Sequence, residues 1–215
     1  MLWPRHCVGC GDWLAGPTDW GIGCPRCTLD WPDLLGVAGP ILMKERCRLE
    51  FGAVGFRLRG HALLKAQLSE IKYGGNRRLA WRWGHWLGNH VPLPAPENGR
   101  VILVPVPLHW RKRAQRGYNQ AEWIARGLGS AWGLPVAARA LKRTRHDVSL
   151  THLSRASRAE TVRELYAAHR VALQHDDHVI VVDDVMTTGA TLSACGAAIR
   201  AAGGRWLGAA VLALA

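Results

Sequence analysis

Long apolar runs are missing from this chain, and none reaches the roughly 18 residues a membrane-spanning helix needs. Its start, MLWPRHCVGC, has no apolar core of the kind a secretory signal carries, so a cytoplasmic protein is expected. Acidic side chains are scarce: 16 Asp and Glu stand against 28 Lys and Arg, for a formal net charge of +12. Such a balance points to anionic partners, namely nucleic acid, phosphorylated small molecules or acidic lipid. Internal repeats and low-complexity segments are absent. No RNP, helix-turn-helix or OB signature is present, so base-specific readout is not expected. With 48% of 215 residues hydrophobic, there is material for a full core, which excludes a disordered chain.

The charge is uneven. Residues 1–50 sum to −1, residues 51–99 to +5, residues 100–175 to +10 and residues 176–215 to −2. The surplus therefore sits in the middle of the chain and not at its cysteine-rich start.

Four of the six cysteines form Cys7-Val-Gly-Cys10 and Cys24-Pro-Arg-Cys27, two CxxC pairs separated by thirteen residues. Each CxxC turn can place two thiolates on one edge of a tetrahedron, which fits a structural zinc ribbon. Two disulfides or a redox pair are the alternatives; a reducing compartment favours zinc. Cys47 and Cys195 read as buried thiols.

Farther on, residues 36–58 show no clear period. Residues 59–72 carry Leu63, Leu64, Leu68 and Ile71 at helical spacing, and Tyr73-Gly74-Gly75-Asn76 is a turn. A second amphipathic helix over 77–91 holds Trp81, Trp83 and Trp86, read as core or partner packing. Val101–Val104 is a buried strand, followed by a Pro-rich turn and a basic helix over roughly Gln115–Leu128. Val179–Val182 is another strand, a helix runs to about Ala202, and 206–214 can form a last strand. Strands alternating with helices imply a mostly parallel α/β sheet covered on both faces.

The strongest signal is Val179–Thr191, VIVVDDVMTTGAT. A strand ends in two carboxylates, and a short loop of threonines and glycine opens a helix. Backbone N–H groups there, with the hydroxyls of Thr187, Thr188 and Thr191, can hold a phosphate. Gly189 permits close backbone approach. Asp183 and Asp184 would repel phosphate. They can instead accept hydrogen bonds from ribose hydroxyls or help hold a Mg²⁺ shell. Upstream, Pro105 and Pro107 stiffen a turn at the same sheet edge, where Arg111, Lys112, Arg113 and Arg116 can neutralise a diphosphate.

This segment resembles the phosphoribosyl-diphosphate (PRPP) motif of type I phosphoribosyltransferases. The stretch ILVPVPLHWRKRAQRGYNQ over 102–120 is similar to the ComF family of competence-related proteins, as is Lys72-Tyr73-Gly74-Gly75. That resemblance spans essentially the whole chain. It implies a zinc ribbon over 1–35, a connecting and helical segment over 36–99 that packs on the core, and a phosphoribosyltransferase-like domain over 100–215. It further implies ribose binding by Asp183 and Asp184, and phosphate binding by Thr187, Thr188, Gly189, Ala190 and Thr191. The diphosphate would meet Pro105, Val106, Pro107 and Arg116. Arg111, Lys112, Arg113, Arg143, Arg145, Arg155 and Arg158 are candidate hood or DNA contacts. The family's usual glutamine and asparagine are replaced by Leu150 and Thr161. The zinc ligands would be Cys7, Cys10, Cys24 and Cys27, and Mg²⁺ would accompany PRPP or a related phosphate ligand.

Two functions are open at this point. One is a part in natural transformation, handling single-stranded DNA with other competence proteins; the basic middle supports backbone-phosphate binding. The other is an active Mg-dependent phosphoribosyltransferase, for which no catalytic base is identifiable beyond the candidate His109.

Overall fold

The computed structural model describes residues 7, 10–13, 24, 26–27, 38–59, 62–93, 98–144, 165–169, 173–174 and 177–215. Among these, the elements in chain order are α1 (Ala38–Cys47), β1 (Phe51–Arg57), α2 (Ala62–Tyr73), α3 (Arg77–His90), β2 (Arg100–Pro105), α4 (Trp110–Arg116) and α5 (Gln120–Trp132). They continue with β3 (Leu141–Arg143), β4 (Tyr166–Ala168), β5 (Asp177–Met186), α6 (Ala190–Ala201) and β6 (Arg205–Leu214).

Four parallel strands form one sheet in the order β1-β6-β5-β2. Side chains alternate across it, as the twofold strand period requires. Val101, Leu103, Ile180 and Val182 face a core built with α2, α3 and α5. Ile102, Val104, Val179 and Val181 face the other core, with α1, α6 and the β3–β4 hairpin. Both faces are thus covered, which is why β5 and β6 read as nearly unbroken apolar runs. Residues 36–58, without a period in the sequence, supply α1 and the edge strand β1. Phe51-Gly-Ala-Val-Gly-Phe alternates too weakly to announce a strand, because its two glycines sit where backbone is tight. A Cβ on Gly55 would lie 2.7 Å from the Leu212 carbonyl oxygen.

Two of the three tryptophans of 77–91 are core, while Trp81 is half-buried and stacks on His85 at 4.9 Å. Trp83 and Trp86 are buried, Trp86 stacks on Phe56 at 4.8 Å, and Trp83 Nε1 donates to Gln67 Oε1 at 2.8 Å. α3 and α5 approach closely: a Cβ on Gly84 would fall on the Ile124 carbonyl, and one on Gly127 on the Trp81 carbonyl.

The helix expected over Gln115–Leu128 is two helices. Gly117, at φ 73°, caps α4 in the left-handed conformation, and Asn119 starts α5 with its Oδ1 accepting from Ala121 N. Strand β5 also runs four residues beyond Val182, so both acids lie within it, pairing alongside β6. No helix among the described residues is long and apolar enough to cross a membrane.

Candidate functional site

The acids stand at the carboxyl end of β5. By strand alternation Asp183 shares the face of Val179 and Val181, and Asp184 that of Ile180 and Val182. Asp184 is buried, and its Oδ2 lies 3.1 Å from Lys72 Nζ, at the end of α2. Among the described residues this ion pair is the one polar contact of Oδ2. Burial at the sheet edge pushes the Asp183 carboxyl well above the usual range, and the Asp184 charge adds to this.

After Met186 the chain turns through Thr187 and Thr188, both exposed, to Gly189 at φ 83°. Gly189 is the N-cap of α6 and supplies no side-chain cap, while Ala190 N donates to Thr188 Oγ1 at 3.4 Å. Only glycine fits: the conformation is left-handed, and a Cβ would lie 2.5 Å from Cys47 Sγ. Arg46 Nη1 donates to the Thr187 carbonyl at 2.7 Å, which pins the loop to α1.

The proline turn follows β2, the neighbour of β5. Val106 N donates to Val182 O at 2.9 Å, and Asn119 Nδ2 donates to Val106 O at 2.9 Å. The neighbouring Tyr118 is buried, its hydroxyl donating to the Ile71 carbonyl near the end of α2. RGYNQ therefore fastens three pieces together: the proline turn, the start of α5 and the Lys72 end of α2.

Between these parts lies a cleft of about 190 Å³. From the expected set it gathers Asp183, Asp184, Thr191, Val106, Pro107, Lys112, Arg116 and Arg143. Lys72, Leu108, Gln120 and Tyr166 complete the lining. Pro105 ends β2 just behind it, and Thr187 to Ala190 immediately precede Thr191. Arg111 and Arg113 point elsewhere on α4, while Arg145, Arg155 and Arg158 lie outside the described residues, as do Leu150 and Thr161. Arg116 Nε, Gln120 Oε1 and Arg143 Nε are buried atoms with no hydrogen-bond partner among the described residues, and all three belong to residues lining this cleft. Burial holds the Tyr118 and Tyr166 phenols up at about 12, so both stay protonated near neutrality.

Sequence reading gave Lys72 no role, although the lysine turn marked its place. Gln120 is the last residue of RGYNQ and was legible in that sense. Tyr166 had no signal, because the short β3–β4 pairing brings it in. A larger cavity of about 740 Å³ opens at the opposite, amino-terminal sheet edge, around Arg48, His178, Arg200 and Arg205. It holds none of the expected residues, and the chemistry of the smaller cleft outweighs its size.

Cys7, Cys10, Cys24 and Cys27 come together, with all four sulfurs within 4.8 Å of one another. Cys24 N donates to Cys7 Sγ at 3.2 Å and Cys27 N to Cys24 Sγ at 3.4 Å. Such a cluster is consistent with a structural metal site. Cys47 and Cys195 are buried thiols, as expected.

A family model described as "Phosphoribosyl transferase domain" matches residues 114–215. Competence protein F of Haemophilus influenzae is 30% identical over 105 residues, covering 47% of this chain and 44% of that protein. DNA utilization protein YhgH of Salmonella typhimurium is 34% identical over 134 residues, covering 60% of this chain and 58% of that protein. The chain thus spans about half the length of the curated relatives it matches. Among solved structures, the glutamine phosphoribosylpyrophosphate (PRPP) amidotransferase from B. subtilis complexed with ADP and GMP aligns with a TM-score of 0.47 and 17% identity, over 67% of this chain and 30% of that one. The domain match over 114–215 and the matched stretches of competence protein F and YhgH make this chain similar to ComF-like proteins with a phosphoribosyl transferase domain, and its four-cysteine cluster is consistent with a zinc ribbon.

Proposed function

We propose that the cleft at the carboxyl ends of β2 and β5 binds a phosphoribosyl ligand of the PRPP type with Mg²⁺, in a protein that handles single-stranded DNA. The observation that carries this reading is a set of buried polar atoms, Arg116 Nε, Gln120 Oε1 and Arg143 Nε, that converge on one cleft without hydrogen-bond partners among the described residues. Buried donors and acceptors without partners are costly, and a ligand rich in hydroxyls and phosphate oxygens satisfies them. Asp183 and Asp184 take the ribose hydroxyls. Thr187, Thr188, Gly189, Ala190 and Thr191 hold the 5′-phosphate on the α6 amides. Pro105, Val106, Pro107 and Arg116 frame the diphosphate, and Arg143 closes the far side. The donor set fits Mg²⁺: two carboxylates, Asp183 and Asp184, line the cleft, and oxygen donors are what that ion takes. When bound, that ion neutralises diphosphate charge.

The cysteine cluster fits zinc. Tetrahedral Zn–S bonds of about 2.3 Å put sulfurs roughly 3.8 Å apart, and Cys10 Sγ lies 3.7 Å from Cys24 Sγ. We assign it a structural role in a ribbon over 1–35. A cytoplasmic site of action and competence proteins as partners complete the reading. Relatives are named for competence and DNA utilization, and α4 presents Arg111, Lys112 and Arg113 to solvent. His109, the candidate base, caps the start of α4 and is not in the cleft lining, so ligand binding is preferred here to phosphoribosyl transfer.

Thermal melting tests the ligand reading. PRPP with Mg²⁺ should raise the melting temperature progressively with concentration. An unchanged melting temperature at millimolar PRPP and Mg²⁺ contradicts it.

A further inference from the structure

Helix α4 packs nothing into the core. None of its seven residues is buried, and it carries Arg111, Lys112, Arg113 and Arg116 without an acidic residue. Among the described residues none of these four forms an ion pair. Two of the large aromatic side chains are left in water at its ends. Trp110, its first residue, is 59% exposed, and Tyr73, beneath its last, is 66% exposed. Each ring already has a guanidinium over it: Arg111 Cζ lies 5.2 Å from the Trp110 ring centre, and Arg116 Cζ 5.2 Å from the Tyr73 ring centre.

Exposed rings paired with cations suit one ligand chemistry well. Nucleobases stack on aromatic faces whatever their sequence, and the intervening phosphates meet the cations. Over Trp110–Arg116 the helix rises about 9 Å, and the two arginine-capped rings meet it at its opposite ends. A duplex hides its base faces, so the surface selects single strands. Lys112 and Arg116 also line the ribose-phosphate cleft.

Resting on the DNA reading above, we infer that α4 and the Tyr73 turn form a base-stacking platform for single-stranded DNA. Because the platform shares Lys112 and Arg116 with the cleft, a strand and a PRPP-type ligand exclude one another. Each ligand then raises the apparent dissociation constant of the other in proportion to its own concentration.

The test uses a labelled twenty-residue oligothymidylate, the full chain and fluorescence anisotropy at low salt. Trp110→Ala and Tyr73→Ala should each weaken binding by roughly five- to hundredfold, the range for one lost stack. The slope of affinity against salt should stay unchanged, since no charge is lost. Arg111→Ala should lower that slope by about one. PRPP with Mg²⁺ should raise the apparent dissociation constant without reaching a plateau, against a sulfate control of equal ionic strength. Trp110→Ala should leave the PRPP-induced melting shift intact, which shows that the variant is folded. Strand binding untouched by both aromatic substitutions overturns the platform while the DNA reading stands, and assigns the aromatic face to a protein partner. Strand binding unaffected by PRPP, in a protein whose melting temperature PRPP raises, overturns the shared cations. No strand binding at low salt overturns both the platform and the DNA reading.

Discussion

Lys72 Nζ lies 3.1 Å from Asp184 Oδ2, so the end of α2 is tied electrostatically to the end of β5. The lysine is about one quarter exposed and the acid nearly buried, 26% against 8%. The pair stands beside Asp183, whose own carboxyl is pushed up by burial first and by Asp184 second. It also places an ammonium where a diphosphate would enter.

Breaking that pair should be felt in folding. Lys72→Met should lower unfolding stability by about 1–2 kcal/mol, less than a fully buried pair loses because the lysine is partly in water. Asp184→Asn in the Lys72→Met background should recover part of the loss, since no uncompensated charge remains. Urea denaturation of the four proteins gives the coupling energy; strictly additive losses contradict the pairing.

A second prediction concerns Asp183. Its folded pKa is raised, by burial first and by Asp184 second. The neutral acid is therefore fully compatible with folding below the ordinary Asp range, near pH 4. Stability is lost as pH rises through the raised folded value. Asp183→Asn should accordingly match the parent protein at about pH 4 and exceed it at about pH 8. Denaturation at the two pH values reads this, and a variant equally weakened at both refutes it.

Much of this site was legible because its chemistry is local in sequence. VIVVDDVMTTGAT places two acids, a left-handed glycine and a helix start within one strand–loop–helix unit. RGYNQ was legible as a motif but not as a structure. It read as the opening of one helix, and Gly117 makes it the break between two. Edge strand β1 escaped because Gly52 and Gly55 dilute its apolar pattern. Their reason, close approach to α1 and to Leu212, is a tertiary fact. Tyr166 and Lys72 reach the cleft through long-range packing that no local pattern encodes.

Gly189 supplies a third prediction. Gly189→Ala forces a Cβ into the left-handed region and against Cys47 Sγ. A loss of about 2 kcal/mol is expected from strain and overpacking together. The double variant Gly189→Ala with Cys47→Ala should regain part of it. Thermal melting decides, and a loss unchanged by removing the thiol contradicts the contact.

Asn119 supplies a fourth. Its side chain both caps α5 and holds the Val106 carbonyl. Asn119→Ala should cost about 1–2 kcal/mol, whereas Asn119→Ser should keep part of the cap and lose the Val106 bond. Equal stability of the alanine variant and the parent protein would refute the locking role.

Asp183 and Asp184 are proposed to mark a working phosphoribosyl site. Isothermal calorimetry with PRPP and Mg²⁺ tests it most directly, on the parent protein and on Asp183→Asn/Asp184→Asn. Saturable binding to the parent, lost in a variant that still melts cooperatively, is the predicted result. No heat from the parent, or equal binding by both proteins, would contradict it.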